Sequence, residues 1–298
     1  MDSAAEPAAG IRNPVLRWLA YSHVWLALGA ALQVEWMQGS LFVYGWRAPA
    51  LAFCGTIVLY AFMRLSRMEH PELGTSPLMD WYRRNRLVML VFSAVCATTA
   101  VILAWPIRVE LFRMLWPATL VAVLYVIPLW LTGGRPIGLR RLPGAKAFLI
   151  GFTWASLSVG LPLAVHGRGW DGVAVQFWLL QFSSVLSLSI VFDVRDLPHD
   201  PASFRTIPQL FGQPIAKRIA AMLQLPWLLV FLGAFAMGPG ASASDTWYFT
   251  MALPIIGILF TILMIIRSTP AHSEAFYLLG IDGMLILVPL SVWIGWTL

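Results

Sequence analysis

The sequence predicts an all-α fold, a polytopic transmembrane bundle of nine helices, and three observations predict it. Of 298 residues, 59% are hydrophobic and only 11% charged, where a soluble domain carries about 25% charged residues. Mean hydropathy is +0.76. Separate apolar stretches recur along the whole chain, each near the roughly 20 residues that cross a hydrocarbon core. One domain, 13–298, accommodates them. The tail 1–12 is acidic at its start and has no apolar core, so it reads as a short disordered segment rather than a signal peptide.

The predicted spans, in order, are 14–34, 48–66, 87–107, 111–132, 146–165, 173–193, 215–237, 247–266 and 276–297. Several carry an interior proline (Pro117, Pro128, Pro162, Pro226, Pro254, Pro289). A membrane helix tolerates the resulting kink where neighbours satisfy the freed carbonyls. The loops test the count. With the N-terminus in the cytoplasm, the inner loops hold Arg12 and Arg17; Arg64, Arg67, Arg83, Arg84 and Arg86; Arg135, Arg140, Arg141 and Lys146; Arg195, Arg205, Lys217 and Arg218; and Arg267. Only Arg47, Arg108, Arg113 and Arg168 fall outside. That places 16 of the 20 basic residues on one side, as the positive-inside rule requires. The C-terminus is then outside, in a cytoplasmic membrane of the bacterial inner-membrane kind. The net charge of +6 marks that inner face rather than a nucleic-acid footprint. Cys54 and Cys96 lie in apolar segments without metal-ligand spacing and read as packing residues.

The run FDVRDLPHD interrupts this apolar background. Acids at a membrane helix end are costly and call for a cation, a partner or a wet pocket. Asp193, Asp196 and Asp200 are spaced i, i+3 and i+7, so a continuing helix puts all three on one face. Stacked like charges repel unless a cation sits among them, and Mg²⁺ favours such oxygen ligands, often shared with substrate phosphates. The alternative is a solvated loop whose acids pair with Arg195, Arg205 or Lys217. Two charged loops, 64–86 and 193–218, each follow an even-numbered span and share a membrane face.

The order Asp193, Arg195, Asp196, Asp200, then Arg205-Thr206-Ile207-Pro208 and Gly212, resembles the second aspartate-rich motif of the UbiA superfamily of intramembrane prenyltransferases. Arg140 to Trp154, RRLPGAKAFLIGFTW, resembles that superfamily's connection between helices 4 and 5, with Tyr125 and Pro128 just upstream. The resemblance implies a nine-helix bundle with a lateral opening to lipid. It also implies a membrane enzyme that moves a prenyl group from a prenyl diphosphate to an aromatic or lipophilic acceptor, with Mg²⁺. By the same resemblance, Asp196 and Asp200 are catalytic and Asp193, Asp196 and Asp200 hold the metal. Tyr60, Arg64, Tyr125, Lys146, Arg195 and Arg205 contact the substrate.

The first motif of that superfamily, Asn-x-x-x-Asp-x-x-x-Asp, is replaced here. Its three positions hold Tyr60, Arg64 and Met68. Two readings follow. Arg64, always charged and able to grip phosphate with two donors, stands in for a metal. Or Arg64 pairs with Asp196 or Asp200 and closes the site, leaving a non-catalytic bundle that binds a lipid or quinone or supports a membrane complex. A secondary transporter is the remaining class, but neither paired broken helices nor inverted halves are visible.

Other residues carry weaker expectations. His23 near the inner end of the first span is placed to touch an acceptor or to serve as a hydrogen-bonded helix-end residue. Trp81 and Tyr82, in DWYRRNR, read as an anchor at headgroup level. Trp154 and Trp178 are expected to line an apolar tunnel. Asp282, inside the last span, is expected to serve a site or to bond Ser187 or Thr153.

Overall fold

The computed structural model describes residues 10–68, 76–126, 144–198, 200, 205–238 and 246–297, and among them the fold is helical without strands. In chain order the elements are α1 Pro14–Tyr21, α2 Val24–Ser40, α3 Arg47–Arg67, α4 Pro77–Arg84 and α5 Arg86–Ala104. A 3₁₀ turn Trp105–Ile107 follows, then α6 Arg108–Val126, α7 Ala145–Val165, α8 Gly172–Asp196 and α9 Ile207–Phe211. The chain ends with α10 Gln213–Met222, α11 Leu225–Met237, α12 Trp247–Arg267, a π-helical turn Phe276–Ile281 and α13 Met284–Thr297.

Among the described residues, seven helices are long and apolar enough to cross a membrane, or eight if the bent pair α1–α2 is one span. The chain is an integral, multi-pass membrane protein. The expected count of nine is not reached, for two reasons. The first predicted span is broken: Asn13 caps α1 through two backbone N–H groups, His23 turns left-handed at φ 62°, and α2 leaves at 60°. Residues 86–124, which hold the predicted span 87–107 and most of 111–132, form one helical stretch of 39 residues through the Trp-Pro-Ile turn. Pro226 lies in the first turn of α11, just after a break in its predicted span at 223–224. Pro128, the tail 1–9 and the Arg135, Arg140 and Arg141 positions lie outside the described residues.

Helix α8 is the axis of the bundle. Val185, Leu186, Leu188, Ile190, Val191 and Val194 are buried against α7, α10 and Tyr277 and Ile281 of the π turn. The outer face of α5 (Leu87, Val88, Val91, Val95, Val101, Ile102) is exposed, as a lipid-facing surface must be. Cys54 and Cys96 pack together in one buried cluster and are reduced.

Polar side chains inside the bundle serve carbonyls that helix breaks release. Pro289 has no N–H, so the carbonyl of Leu285 loses its i+4 donor; Gln33 Nε2 supplies one at 3.0 Å, and Gln181 donates to Gln33. At the α10–α11 break, the Gln224 N–H bonds Ala221, and Ser187 Oγ takes the carbonyl of Ala220 at 2.6 Å. Lys217 Nζ caps the end of α12 through the carbonyls of Ile266 and Ser268, at 2.7 and 3.1 Å.

Close helix approach makes Gly295 a sensitive position. A Cβ there would meet Cα of Thr250 at 2.9 Å and its carbonyl oxygen at 3.0 Å, on the helix whose Thr250 hydroxyl donates to Gly295 at 2.7 Å. Backbone cannot withdraw as a side-chain tip can. Gly295→Val should therefore destabilise by about 1–3 kcal/mol, read as a lower unfolding midpoint in detergent, whereas Gly233→Val, which faces open space, should leave it near wild type.

Candidate functional site

The helix carries the first two acids of the run and ends at the second. Asp193 and Asp196 lie in the last turn of α8, and the Asp200 N–H bonds the Asp196 carbonyl at 2.8 Å, which carries the turn onward. The three carboxylates converge on one cation from another helix. Lys146 Nζ lies 2.8 Å from Asp193, 3.3 Å from Asp196 and 3.1 Å from Asp200. Asp193 is 1% exposed, and its Oδ2 has no hydrogen-bond partner. Arg195 Nε adds 2.7 Å to Asp196, with its guanidinium held over Phe192 and Tyr277, 4.8 and 5.7 Å from the ring centres. Stacking fixes the plane of the guanidinium and leaves its edge for the carboxylate.

Local structure sets this geometry. Lys146 is the second residue of α7, and Gly144 begins that helix at φ 69°, a left-handed conformation that glycine adopts without strain. The Gly144 N–H donates to the Arg205 carbonyl at 2.9 Å. Arg205 itself is exposed with φ 46°, so its clearest tie to the site is through backbone, locking the start of α7 to the loop after α8. Gln209 extends the lock: its Nε2 donates to the Asp200 carbonyl at 3.1 Å, and its Oε1 accepts from the Thr206 N–H at 2.9 Å.

The cluster carries three carboxylates against two cations, Lys146 and Arg195. Among the described residues, no three His, Cys, Asp or Glu side chains are arranged to hold a metal ion; the ammonium takes the point where the three carboxylates meet. The donor chemistry still suits a hard cation. The set is all oxygen, retains a net negative charge, and has an orphaned buried oxygen on Asp193.

A cavity of about 790 Å³ is walled by α2, α3, α5, α6 and α7. That is ample for a lipid-sized ligand. Its lining is almost wholly apolar. Leu59, Val101, Phe112, Trp116 and Leu120 both line it and are exposed, so it opens sideways through the outer surface of the bundle. Tyr60 and Trp154 line its end and also pack on the core cluster that contains Ala147, Val191 and Val194. Lys146 lies two turns before Thr153 on the same face of α7. Trp178 does not reach the cavity. It stacks on Phe182 at 5.3 Å and donates to Ser156.

The ion pairs of Asp196 and Asp200 go to Lys146 and Arg195. The charge of Arg64 acts on His23, Tyr82 and Glu274. Tyr82 is fully buried in the protein rather than turned to lipid or water, because Leu78 and Tyr82, four apart on α4, both turn inward. Burial pushes its phenol above the ordinary value, against the pull of Arg64. Asp282 is buried within the field of Arg195, while Ser187 and Thr153 bond backbone carbonyls instead. Lys217 is likewise absent from the acidic cluster, being spent on α12. The side chain of Tyr125 lies outside the described residues.

Glu274 was not evident from the sequence. It accepts from Tyr21, 253 residues away, and feels both Arg64 and Arg195. Burial pushes its carboxyl up from the ordinary value, and the Tyr21 hydrogen bond and the two cations oppose that. Only the tertiary fold brings α1 to the entrance of the last span; the one local signal was an acid just before an apolar run.

No protein-family model matches the chain, and no curated protein matches it in sequence. Solved structures do. A UbiA homologue from Archaeoglobus fulgidus bound to GPP and Mg²⁺ superposes with a TM-score of 0.58 at 12% identity, covering 94% of this chain and 99% of that one. The same homologue with DMAPP and Mg²⁺ gives 0.56 at 13% identity, over 94% and 99%. A digeranylgeranylglyceryl phosphate synthase gives 0.53 at 15% identity, over 93% and 96%. The likeness spans nearly the full length of each partner, and at these identities it is a likeness of architecture: this chain has the UbiA fold.

Proposed function

We propose that the protein is a UbiA-like intramembrane prenyltransferase, moving a prenyl group from a prenyl diphosphate to an aromatic or lipophilic acceptor. The observation that carries this reading is the apolar, laterally open cavity whose lining residues Tyr60 and Trp154 pack on the same core as the helix ends that bear Lys146 and the aspartates. The solved structures of the same fold held with GPP or DMAPP and Mg²⁺ support it. The prenyl chain lies in the cavity and the diphosphate meets Lys146 and Arg195 at its end. Asp196 and Asp200, the more accessible carboxylates at 25% and 11%, would hold Mg²⁺, with Asp193 behind them. When bound, that ion neutralises charge on the leaving diphosphate.

The chain's own residues do the rest. Lys146, freed from the carboxylates as they take another cation, turns its ammonium to the leaving group. The allylic C–O bond breaks with its electron pair on the diphosphate. The acceptor supplies the pair for the new bond and releases a proton. Tyr60, Trp116 and Trp154 wall the cation from water, so fixed charges act at low dielectric. We also read residues 86–124 as two crossings hinged at the Trp-Pro-Ile turn. At 1.5 Å per residue a 39-residue helix would run about twice the core thickness. Nine crossings put the termini on opposite sides, and the distribution of basic residues then puts the N-terminus in the cytoplasm, which cysteine labelling from either side checks.

The non-catalytic alternative rests on one observation, the closure of all three carboxylates on Lys146. Purified protein incubated with Mg²⁺, a panel of prenyl diphosphates and aromatic or lipid acceptors decides. Absence of any transfer, with prenyl diphosphate bound no better than prenol, would favour the non-catalytic bundle. Gly55→Leu sharpens the test. Gly55 lines the cavity, and a Cβ there meets nothing within 4 Å. The variant should fold, gain up to about 1 kcal/mol of helix propensity, and disfavour longer donors by roughly tenfold or more in kcat/KM. An unchanged chain-length profile would remove the cavity from the donor site.

A further inference from the structure

Helix α1 does not prolong the span that follows it. α2 has 17 residues, about 25 Å at 1.5 Å per residue, close to the thickness of a hydrocarbon core. α1 meets α2 at 60°, so where α2 runs along the membrane normal, α1 lies nearer the membrane plane. One side of α1 is buried: Ala20 and Tyr21 pack with Leu78 and Tyr82 of α4 and Met89 of α5. Two ring contacts fix the arrangement, Tyr21 on Trp81 at 6.0 Å and Trp18 on Phe92 of α5 at 6.5 Å. The other side of α1 is bare and mixed. Val15, Leu16 and Trp18 are exposed, between exposed Arg12 and Arg17. At the α4–α5 junction Arg83, Arg84 and Arg86 are exposed, and the exposed apolar run of α5 begins directly after them at Leu87.

A short helix near the membrane plane, with apolar and basic residues bare on one side, is what an interfacial helix presents to a bilayer. The charge of this face is one-sided. Among the described residues, the acids beside it are Asp80, paired with Arg83 at 3.0 Å, and Glu274, which accepts from Tyr21. None of Arg12, Arg17, Arg84 and Arg86 makes an ion pair among the described residues. A guanidinium grips phosphate with two donors. A zwitterionic headgroup would bring its own ammonium among these arginines, whereas an anionic one brings only the charge they lack. We propose that α1, the end of α4 and the start of α5 form a seat for an anionic phospholipid. Its headgroup lies among the unpaired arginines, and an acyl chain runs down past Trp18 and Phe92 onto the outer face of α5. The seat is independent of the transferase reading, since it shares no residue with the cavity or the aspartate cluster.

The test titrates the purified full chain in detergent with phosphatidylglycerol and with phosphatidylcholine of the same acyl chains, read by native mass spectrometry. Wild type should hold phosphatidylglycerol the more tightly. Arg17→Gln with Arg86→Gln should cut that preference about twentyfold, at roughly fivefold for each arginine near an anionic headgroup, and leave phosphatidylcholine binding unchanged. Both side chains are exposed, so the double variant should fold, with its unfolding midpoint in lipid-free detergent near wild type. Arg17→Lys with Arg86→Lys, which keeps the charge, should retain most of the preference. Arg113→Gln, exposed on α6 beyond the far end of α5, should retain all of it. Equal retention of the two lipids by wild type would overturn the seat. So would a preference that survives in the double glutamine variant, or one that Arg113→Gln abolishes to the same extent.

Discussion

Lys146→Met should destabilise the protein by about 3–5 kcal/mol and abolish prenyl diphosphate binding. The ammonium is the shared counter-charge of three carboxylates within 3.3 Å, and Asp193 has almost no access to water. Removing a single partner leaves an uncompensated buried charge, which is worse than having neither. The double variant Lys146→Met with Asp193→Leu should therefore recover much of the lost stability while still failing to bind. Unfolding midpoints of the two variants, measured side by side in detergent, check this. A wild-type midpoint for the single variant would mean that the carboxylates do not depend on the lysine.

Asp196→Asn and Asp200→Asn should each lower kcat for prenyl transfer by about 10²–10³, the range expected when one element of a pre-organised electrostatic site is removed. Asparagine keeps the volume and loses the charge. Both positions are partly exposed, and Lys146 retains Asp193 in either variant, so stability should fall by no more than about 1–3 kcal/mol. That split, large in rate and modest in stability, distinguishes these two from Lys146. Weakened Mn²⁺ binding by electron paramagnetic resonance, measured with a thiolodiphosphate present, gives a readout apart from turnover. Transfer that persists undiminished in both variants would sink the enzymatic reading of the acidic run.

Much of this site could be read from residue order. The i, i+3, i+7 spacing of Asp193, Asp196 and Asp200 does place them on one face, and Lys146 in AKAFLIGF does reach them, because each lies within one turn of a helix end. Helical geometry is local, and local spacing reports it. The break at Ser22-His23 is different. No proline or glycine marks it, and the bend comes from α1 packing on α4 and the start of the last span, which no window of sequence contains. Tyr82 illustrates the same limit. Tyrosine in a charged run reads as an interfacial anchor, and only the inward pairing of Leu78 with Tyr82 shows otherwise. The action of the Arg64 charge on His23, Tyr82 and Glu274 likewise depends on how α3 is rotated.

The pairing of Gln33 with the carbonyl released by Pro289 has a consequence for how such bundles change over time. The proline and the glutamine are one trait written at two places 256 positions apart. Replacing Pro289 by an ordinary residue restores the intrahelical donor and leaves the Gln33 N–H competing for a carbonyl already satisfied; replacing Gln33 alone strands the carbonyl. Substitutions at the two sites should therefore arrive together or not at all, and a relative that has lost one should be found to have lost the other.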